Sequence, residues 1–251
     1  MMKKLKIMSV VGTRPEVIRL SRVLAALDVH CDHVLVHTGQ NYDYELNQVF
    51  FDDLGVRKPD YFLNSAQGST GAANTIGNLI SAVDGVLAQV QPEAMLVLGD
   101  TNSCLSVIPA KRRKVPIFHM EAGNRSFDNN VPEELNRKMV DHVASFNLPY
   151  NDYSMRNLLN EGVHPRFIHK TGSPIREIYE HYKNKVEDSD VLTREGLTKG
   201  GYFLVSLHRQ ENVDSPTRLR LAVEALQCVR DEWNLPILVS THPRTRKRLE
   251  E

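Results

Sequence analysis

The chain has 251 residues, of which 41% are hydrophobic and 25% charged, and its 31 lysines and arginines balance its 31 acidic residues. This length exceeds a usual single domain of roughly 100–200 residues, so it predicts one large or two smaller domains. The balanced charge excludes the basic excess of a nucleic-acid-binding protein and an acidic tail. Any anion-binding site must therefore be local.

The cysteines and the hydropathy pattern predict a cytoplasmic protein. Cys31, Cys104 and Cys228 lie far apart and match neither a disulfide framework nor a zinc-binding spacing. The N-terminal stretch MMKKLKIMSVVGTRPE is interrupted by charge and has no small-residue cleavage site, so it predicts a first strand rather than a leader. No stretch approaches the ~20 apolar residues of a membrane span.

Short apolar runs alternate with segments of helical period through residue 180. The runs that predict strands are Ile7 to Val11, Val34 to Val36, Met95 to Leu98, Val115 to Phe118, Phe146 to Leu148 and Phe167 to Ile168. Between them, Val17, Leu20, Leu24 and Leu27 repeat at helical spacing, as do Ile76, Leu79, Ile80, Val83, Leu87 and Val90. Strands alternating with helices predict βαβ units and a parallel sheet.

A polar stretch then divides the chain into residues 1–183, a linker at 184–200 and a second unit at 201–251. The second unit reads as strand YFLVSL, a helix that begins near Ser215–Pro216, and strand PILVS. Two parallel strands and one helix cannot bury both faces of a sheet. We therefore expect this unit to be the opening of a Rossmann-type domain that has been cut short.

Polar residues after the first strand are candidates for an anion site, because open α/β sheets bind ligands at the carboxyl ends of their strands. In GTRPE, Pro15 suits the first turn of a helix, whose N–H groups would be open to an anion. Arg14 and Arg19 would add positive charge. A plain βα turn with a solvent-facing arginine would explain the same residues, and the absence of GxGxxG argues against NAD.

Acidic residues follow two later strands. Asp100 comes just after the run ending at Leu98 and would either act in a site or cap the next helix. Glu121, in HMEAGNRSFDNNVPEELNR, comes directly after a strand, where a buried carboxylate needs a partner such as Arg125 or Arg137. Glu133, like Glu134, falls in the first turn of a helix, where the helix dipole alone favours an acid.

A histidine and an arginine follow the first strand of the second unit, in VSLHRQEN. A single histidine is usually structural, but His208 with Arg209 at the carboxyl end of a strand suits a ligand that carries phosphate. If the two units face each other, one cleft would hold these basic groups and the acids of the first unit.

Taken together, VVGTRPEVIRL, VLGDTNS, HMEAGNRSFDNNVPEELNR, KTGSPI and VSLHRQEN resemble the non-hydrolysing UDP-N-acetylglucosamine 2-epimerases in order and spacing, from residue 6 to about 243. The resemblance implies an α/β fold of the glycosyltransferase-B type, with two Rossmann-type domains whose parallel sheets face a cleft, the second domain being truncated here. It also implies a homodimer, a UDP-sugar substrate, and no metal or redox cofactor.

The resemblance assigns roles to individual residues. Asp100, Glu121 and Glu133 fall on the family's acid and base positions, Arg137 on its companion arginine, and His208 on a catalytic position beside the diphosphate. The substrate-binding residues that it implies are Arg14, Arg19, Arg209 and His242. Arg19 stands where the family usually has lysine, which keeps the charge but changes the geometry.

Several functions agree with this resemblance. The first is epimerisation at C2, from UDP-GlcNAc to UDP-ManNAc, by elimination of UDP to a 2-acetamidoglycal and re-addition, for surface polysaccharide such as capsule or lipopolysaccharide. The stretch GNRSFDNNVPEE is also similar to the branch that acts on UDP-2-acetamido-2,6-dideoxy-L-talose. The chain could instead be a glycosyltransferase on the same architecture, or an inactive remnant.

Overall fold

The computed structural model describes residues 3–39, 51–207, 210–241 and 243–250. The chain divides into two compact units, Met1–His181 and Tyr182–Glu251. The boundary falls inside helix Ile175–Glu187. The end of this helix and a short helix, Val191–Arg194, occupy much of the segment 184–200 that we predicted as a linker.

The first unit is built on a six-stranded sheet whose neighbouring strands are all parallel. Its strands are β1 (Lys6–Val11), β2 (Asp32–His37), β3 (Tyr61–Phe62), β4 (Ala94–Leu98), β5 (Ile117–Met120) and β6 (Phe146–Leu148), in the order β3-β2-β1-β4-β5-β6. The predicted alternation of strands and helices is therefore confirmed.

The predicted strand Phe167–Ile168 is wrong. Pro165–Phe167 forms a 3-10 turn, which the fixed φ of Pro165 favours, and Ile168 makes a single bridge to Asn147. The pattern also missed β3, because two residues at the edge of a sheet are too few to show an alternation.

Helices cover both faces of this sheet. They are α1 (Arg14–His30), α2 (Ala72–Val90), α3 (Val107–Arg112), α4 (Pro132–Val143), α5 (Asp152–Asn160) and α6 (Ile175–Glu187), with a 3-10 helix, Asn102–Ser106, before α3. In β4, Met95 and Val97 join the core on the side of α2, whereas Leu96 and Leu98 join the core on the side of α1. Burial on both faces explains why β4 is an unbroken apolar run.

The second unit contains a parallel pair of strands, β7 (Phe203–Ser206) and β8 (Ile237–Ser240). Its helices are α7 (Val191–Arg194), α8 (Gln210–Val213), α9 (Pro216–Trp233) and α10 (Pro243–Glu250). Ser215 caps α9, as the Ser-Pro pair predicted. Large apolar side chains such as Leu204 and Trp233 are exposed, because this two-stranded sheet buries little of its apolar surface.

The three cysteines are free thiols. In the part of the chain that the structure describes, every helix is too short or too polar to cross a lipid bilayer.

Candidate functional site

The predicted acids lie at the carboxyl edge of the six-stranded sheet, where the strand order changes direction. The chain moves outward from β1 to β2 and β3 on one side, and from β4 to β5 and β6 on the other. Asp100 follows β4, Glu121 follows β5, and α1 starts just after β1. Such a switch point is where open α/β sheets bind their ligands.

Arg137 of α4 joins two of the predicted acids. Its Nη2 contacts Oδ2 of Asp100 and lies 3.2 Å from Oε1 of Glu121. Arg19 of α1 contacts the other carboxylate oxygen of Glu121. Four predicted site residues therefore form one cluster, which we call the site cluster: Asp100, Glu121, Arg19 and Arg137.

The site cluster is only partly closed to solvent. The side chain of Arg137 is 7% exposed and that of Glu121 10%, whereas Asp100 keeps 26% and Arg19 42% of its surface. Glu121 is paired, as its burial requires, and its partners are Arg137 and Arg19 rather than Arg125. Because the two acids share Arg137 and Asp100 remains reachable from solvent, the arrangement suits a ligand site better than an isolated structural ion pair.

The turn that carries Glu121 has an unusual backbone. Glu121 has a φ of 62°, in the left-handed region that non-glycine residues rarely adopt, and Gly123 has a φ of 78°. A Cβ atom at Gly123 would lie 2.2 Å from the carbonyl oxygen of Ser154, so this position needs glycine. The surrounding contacts thus hold Glu121 in a costly conformation, which is common where a side chain must be aimed.

The capping interpretation of Asp100 is wrong. Thr101 caps the following 3-10 helix, because its hydroxyl accepts the N–H of Ser103 at 3.2 Å. The carboxylate of Asp100 turns instead to Arg137, and Asn136 Nδ2 donates to the Asp100 carbonyl at 3.0 Å.

The environment of Asp100 favours its protonated form. Burial raises the pKa of this carboxyl, as do the charges of Glu121 and Glu133, and together they outweigh the lowering by Arg137. Asp100 therefore binds a proton more readily than an ordinary aspartate. A carboxyl group shifted in this direction is suited to general acid or base catalysis.

The two adjacent glutamates of α4 have different surroundings. Glu134 is buried, where its carboxylate accepts the N–H of Ser126 at 2.8 Å and pairs with Lys138 at 3.1 Å. Glu133 is exposed and close enough for its charge to act on Asp100. Among the side chains that the structure describes, none forms a hydrogen bond or an ion pair with Glu133. Glu134 thus anchors the preceding loop, and Glu133 remains available to a ligand.

Two N–H groups of the turn that leads into α1, the predicted anion site, are bound by a carboxyl of the chain itself. Oε2 of Glu16 accepts the N–H of Gly12 at 2.9 Å and that of Thr13 at 2.7 Å. Its Oε1 accepts the hydroxyl of Thr101 at 2.9 Å, next to Asp100. A carboxyl of the chain thus occupies this place, and burial raises the pKa of this Glu16 group.

The remaining predicted residues are placed only in part. Arg14 is the first residue of α1, at the same edge of the sheet, and is partly buried. His208, Arg209 and His242 lie outside the residues that the structure describes. Their catalytic and substrate-binding roles stay predictions.

A second charged cluster, which the sequence did not lead us to expect, lies beside the site. We call Asp141, Arg125, Glu161 and His119 the buried cluster. Asp141 lies 2.8 Å from Arg125 and 2.9 Å from Nδ1 of His119, and Arg125 donates to Glu161 at 2.8 Å. A histidine within an apolar strand, with an acid on the core-facing side of the next helix, was the available signal.

The large apolar cavity of the first unit lies elsewhere. It has a volume of about 520 Å³ and a lining that is apolar apart from Cys31, Thr171, Ser173 and Glu177. None of the predicted site residues contributes to it. A largely apolar wall whose one charged residue is an acid, Glu177, does not suit a diphosphate, so the predicted acids mark a different place.

Known proteins resemble this chain over nearly its whole length. The profile of the family described as UDP-N-acetylglucosamine 2-epimerase matches residues 25–251. The UDP-N-acetylglucosamine 2-epimerase of Methanocaldococcus jannaschii is 35% identical over 98% of this chain, which covers 68% of that relative. The UDP-2,3-diacetamido-2,3-dideoxy-D-glucuronate 2-epimerase of Pseudomonas aeruginosa is 34% identical, again over 98% of this chain and 69% of the relative.

Solved structures agree with these sequence similarities. The structure of UDP-N-acetylglucosamine 2-epimerase from Rickettsia bellii superposes with a TM-score of 0.89 at 49% identity, over 99% of this chain and 65% of that one. The M. jannaschii enzyme in complex with UDP-GlcNAc and UDP superposes with a TM-score of 0.88 at 34% identity, over 98% of this chain and 68% of that one. The predicted fold class is confirmed, and the chain spans about two thirds of the length of these relatives.

Proposed function

We propose that this chain, which belongs to the UDP-N-acetylglucosamine 2-epimerase family, inverts C2 of a UDP-2-acetamido sugar and converts UDP-GlcNAc to UDP-ManNAc. The observation that carries the proposal is that Asp100 and Glu121 share Arg137 at the switch point of the sheet, with Glu133 nearby. Surface-polysaccharide precursors are the products that this reaction would supply.

The chemistry of the substrate explains the need for several acids. C2 has no neighbouring carbonyl, so direct removal of its proton would be slow. In the proposed route a carboxylate takes the C2 proton, the C–H electron pair forms a C1=C2 double bond, and the C1–O bond breaks with its electrons on UDP. A proton then returns to the opposite face of C2 of the 2-acetamidoglycal, and UDP adds back to C1.

The site cluster offers groups for these steps. Asp100, whose raised pKa lets it hold a proton, is suited to proton transfer, and we assign Glu121 and Glu133 to the same acid and base work. Arg137 keeps two like charges together that would otherwise repel each other. Because the proton leaves one face of C2 and another returns to the opposite face, a second acid is needed on that face and a single carboxylate would not suffice.

A departing diphosphate also needs positive charge. We propose Arg14 and Arg19 on the first unit, and His208, Arg209 and His242 on the second, as the groups that bind it. Arginine suits this task because its planar guanidinium can donate two hydrogen bonds to one phosphate.

Two further features belong to the same proposal. We place the reaction in the cytoplasm, since three free thiols suit a reducing compartment. We also propose a homodimer, on the strength of the family resemblance, and light scattering of the purified protein would test it.

The test is incubation of the full-length protein with UDP-GlcNAc in deuterated water. We expect deuterium at C2 of the product and of recovered substrate, because both proton transfers exchange with solvent. Asp100→Asn should slow this exchange about 10²- to 10⁴-fold, the usual contribution of an acid or base. The matched control is Asp84→Asn, since Asp84 pairs with Arg113 on the surface and should not matter. A product without label at C2 would exclude the route.

The same measurement separates the competing functions. A glycosyltransferase would transfer the sugar to an acceptor and leave C2 unlabelled, and an inactive chain would give no exchange. The P. aeruginosa relative is about as similar to this chain as the M. jannaschii enzyme, so sequence identity does not indicate which sugar is the substrate. A proton NMR screen of UDP-GlcNAc, the 2,3-diacetamido uronate and the 6-deoxy-L-talose derivative identifies the substrate as the one that is epimerised fastest.

A further inference from the structure

A buried histidine links the turns that carry Asp100 and Glu121. His119, in β5, is fully buried, with Nε2 2.7 Å from the carbonyl oxygen of Gly99 and Nδ1 2.9 Å from Oδ1 of Asp141. Gly99 directly precedes Asp100. Because a carbonyl oxygen can only accept a hydrogen bond, Nε2 carries a proton and Nδ1 faces the aspartate.

Asp141 extends the link to the other turn. Both of its carboxylate oxygens lie 3.2 Å from the N–H of Gly123, which closes the turn after Glu121. Asn157 donates to the carbonyl of Gly123 at 3.0 Å. The chain Gly99, His119, Asp141, Gly123 therefore runs from the turn of one acid to the turn of the other.

This link lies where the backbone no longer joins the two strands in the regular way. The pairing of β4 with β5 ends at Leu98 and Met120, and one more backbone hydrogen bond follows, from Gly99 N–H to the Met120 carbonyl at 3.0 Å. Gly99 and Glu121 then both adopt positive φ values, 81° and 62°. Beyond this point Arg137 connects the acids through their side chains, and His119 connects their turns through buried contacts.

We propose that His119, held by Asp141, is a positioning residue that sets the separation and aim of Asp100 and Glu121 for proton transfer at C2. The proposal rests on the proposed epimerase function. His119 is fully buried, so it acts through the two turns and not on the substrate. Proton transfer is sensitive to displacements of about 1 Å, which can cost ~10²-fold in rate.

Two substitutions separate the hydrogen bond of Nε2 with Gly99 from the contact of Nδ1 with Asp141. The amide nitrogen of His119→Gln can occupy the place of Nε2 and keep the bond to Gly99, whereas that of His119→Asn can occupy the place of Nδ1 and keep the contact with Asp141. We expect His119→Gln to lower kcat less than about tenfold and His119→Asn to lower it about 10²-fold, both with an unchanged KM for UDP-GlcNAc.

A control corrects for lost stability. Ile117→Val, in the same strand, leaves the acid turns untouched and should destabilise the protein by about 0.5–1.5 kcal/mol with no change in kcat. Equal kcat values for His119→Asn and the wild type would overturn the proposal, and so would an equal loss of kcat in Ile117→Val at a similar drop in melting temperature.

A readout without substrate separates this inference from the function. In protein labelled with ¹³C at the aspartate carboxyls, the titration midpoint of Asp100 should move in His119→Asn, while that of Asp84 stays. If the titration midpoint of Asp100 is unchanged in His119→Asn, the positioning role is overturned whether or not the protein is active. Conversely, suppose that the wild type incorporates no deuterium at C2 while the titration midpoint of Asp100 still moves in His119→Asn. That result would refute the epimerase proposal and keep His119 as the residue that positions this acid.

Discussion

The site cluster and the buried cluster use the same residue types for opposite purposes. Both draw on the segment after β5 and on α4, where Arg137 and Asp141 lie one helical turn apart. In the buried cluster the side chains of Asp141, Arg125 and His119 are 0% exposed, whereas Asp100 in the site cluster keeps 26% of its surface. The two regions thus differ in access to solvent more than in composition.

The two clusters also shift their aspartates in opposite directions. Burial would raise the pKa of Asp141, but pairing with His119 and Arg125 outweighs it and lowers the pKa. Burial raises the pKa of Asp100 and prevails over Arg137, with help from two more acids. A carboxylate whose charge is matched stabilises the fold, and one whose charge is only partly matched is ready to bind a proton.

The largest effect should come from unbalancing the buried cluster. Arg125→Met would leave Asp141 and Glu161 without their shared partner, so we expect the free energy of unfolding to fall by about 3–5 kcal/mol. Arg113→Met is the matched control, because it removes an exposed ion pair with Asp84 and should cost less than about 1 kcal/mol. Urea unfolding of both variants measures the difference, and similar losses would contradict the contrast between the clusters.

A second buried histidine should respond to pH. His37 accepts the N–H of Gly39 at 3.1 Å and stacks on Phe62, and its Nε2 has no hydrogen-bond partner in the described part of the chain. Unlike His119, it has no acid beside it among those residues, and burial lowers its pKa to about 4.

The sign of this effect follows from proton binding. As pH falls from 6.5 towards 4, the unfolded chain binds a proton at His37 that the folded chain refuses, so stability declines by up to about 3 kcal/mol. His37→Asn, which retains an acceptor for Gly39, should remove this part of the decline. Because other titrating groups are common to both proteins, parallel stability curves between these pH values would refute the prediction.

Asp100 should have a smaller effect on folding stability, with the opposite dependence on pH. Its raised pKa means that the ionised form costs stability above the folded-state pKa, and that this cost disappears as pH falls towards 3.8. Asp100→Asn should therefore melt at a higher temperature than the wild type at pH 7, and the gap should narrow on acidification. Melting curves at several pH values test this, and a variant less stable than the wild type at pH 7 would show that Asp100 belongs to the fold and not to the chemistry.

The smallest effect should come from the outer rim of the site cluster. Arg19 is 42% exposed, and an exposed ion pair is worth ~1 kcal/mol or less, so Arg19→Lys should change kcat/KM less than about fivefold. Arg137→Lys is the informative comparison, because a lysine cannot contact Asp100 and Glu121 with one planar group. Equal losses for the two variants would mean that Arg137 does not organise the acids.

Much of this arrangement was predictable from the sequence. The run Met95–Leu98 predicted a strand of a parallel sheet, and the strand ends placed Asp100 and Glu121 at one edge of that sheet. Ser215–Pro216 likewise predicted the start of α9. These features depend on local periodicity, turn chemistry and the fixed hand of βαβ units, which a single sequence displays.

The choice of partners was decided only in three dimensions. Nothing in the sequence distinguishes Arg137 from Arg125 as the partner of Glu121, since both are close to it along the chain. The structure shows that α4 places Arg137 beside Glu121 and Asp141 beside Arg125. The same is true of Glu16, which binds two N–H groups of the turn before α1, where we predicted an anion site. Pairing between charged groups depends on their distances and burial. These are set by the packing of elements that are far apart in sequence, so a pattern along the chain does not reveal them.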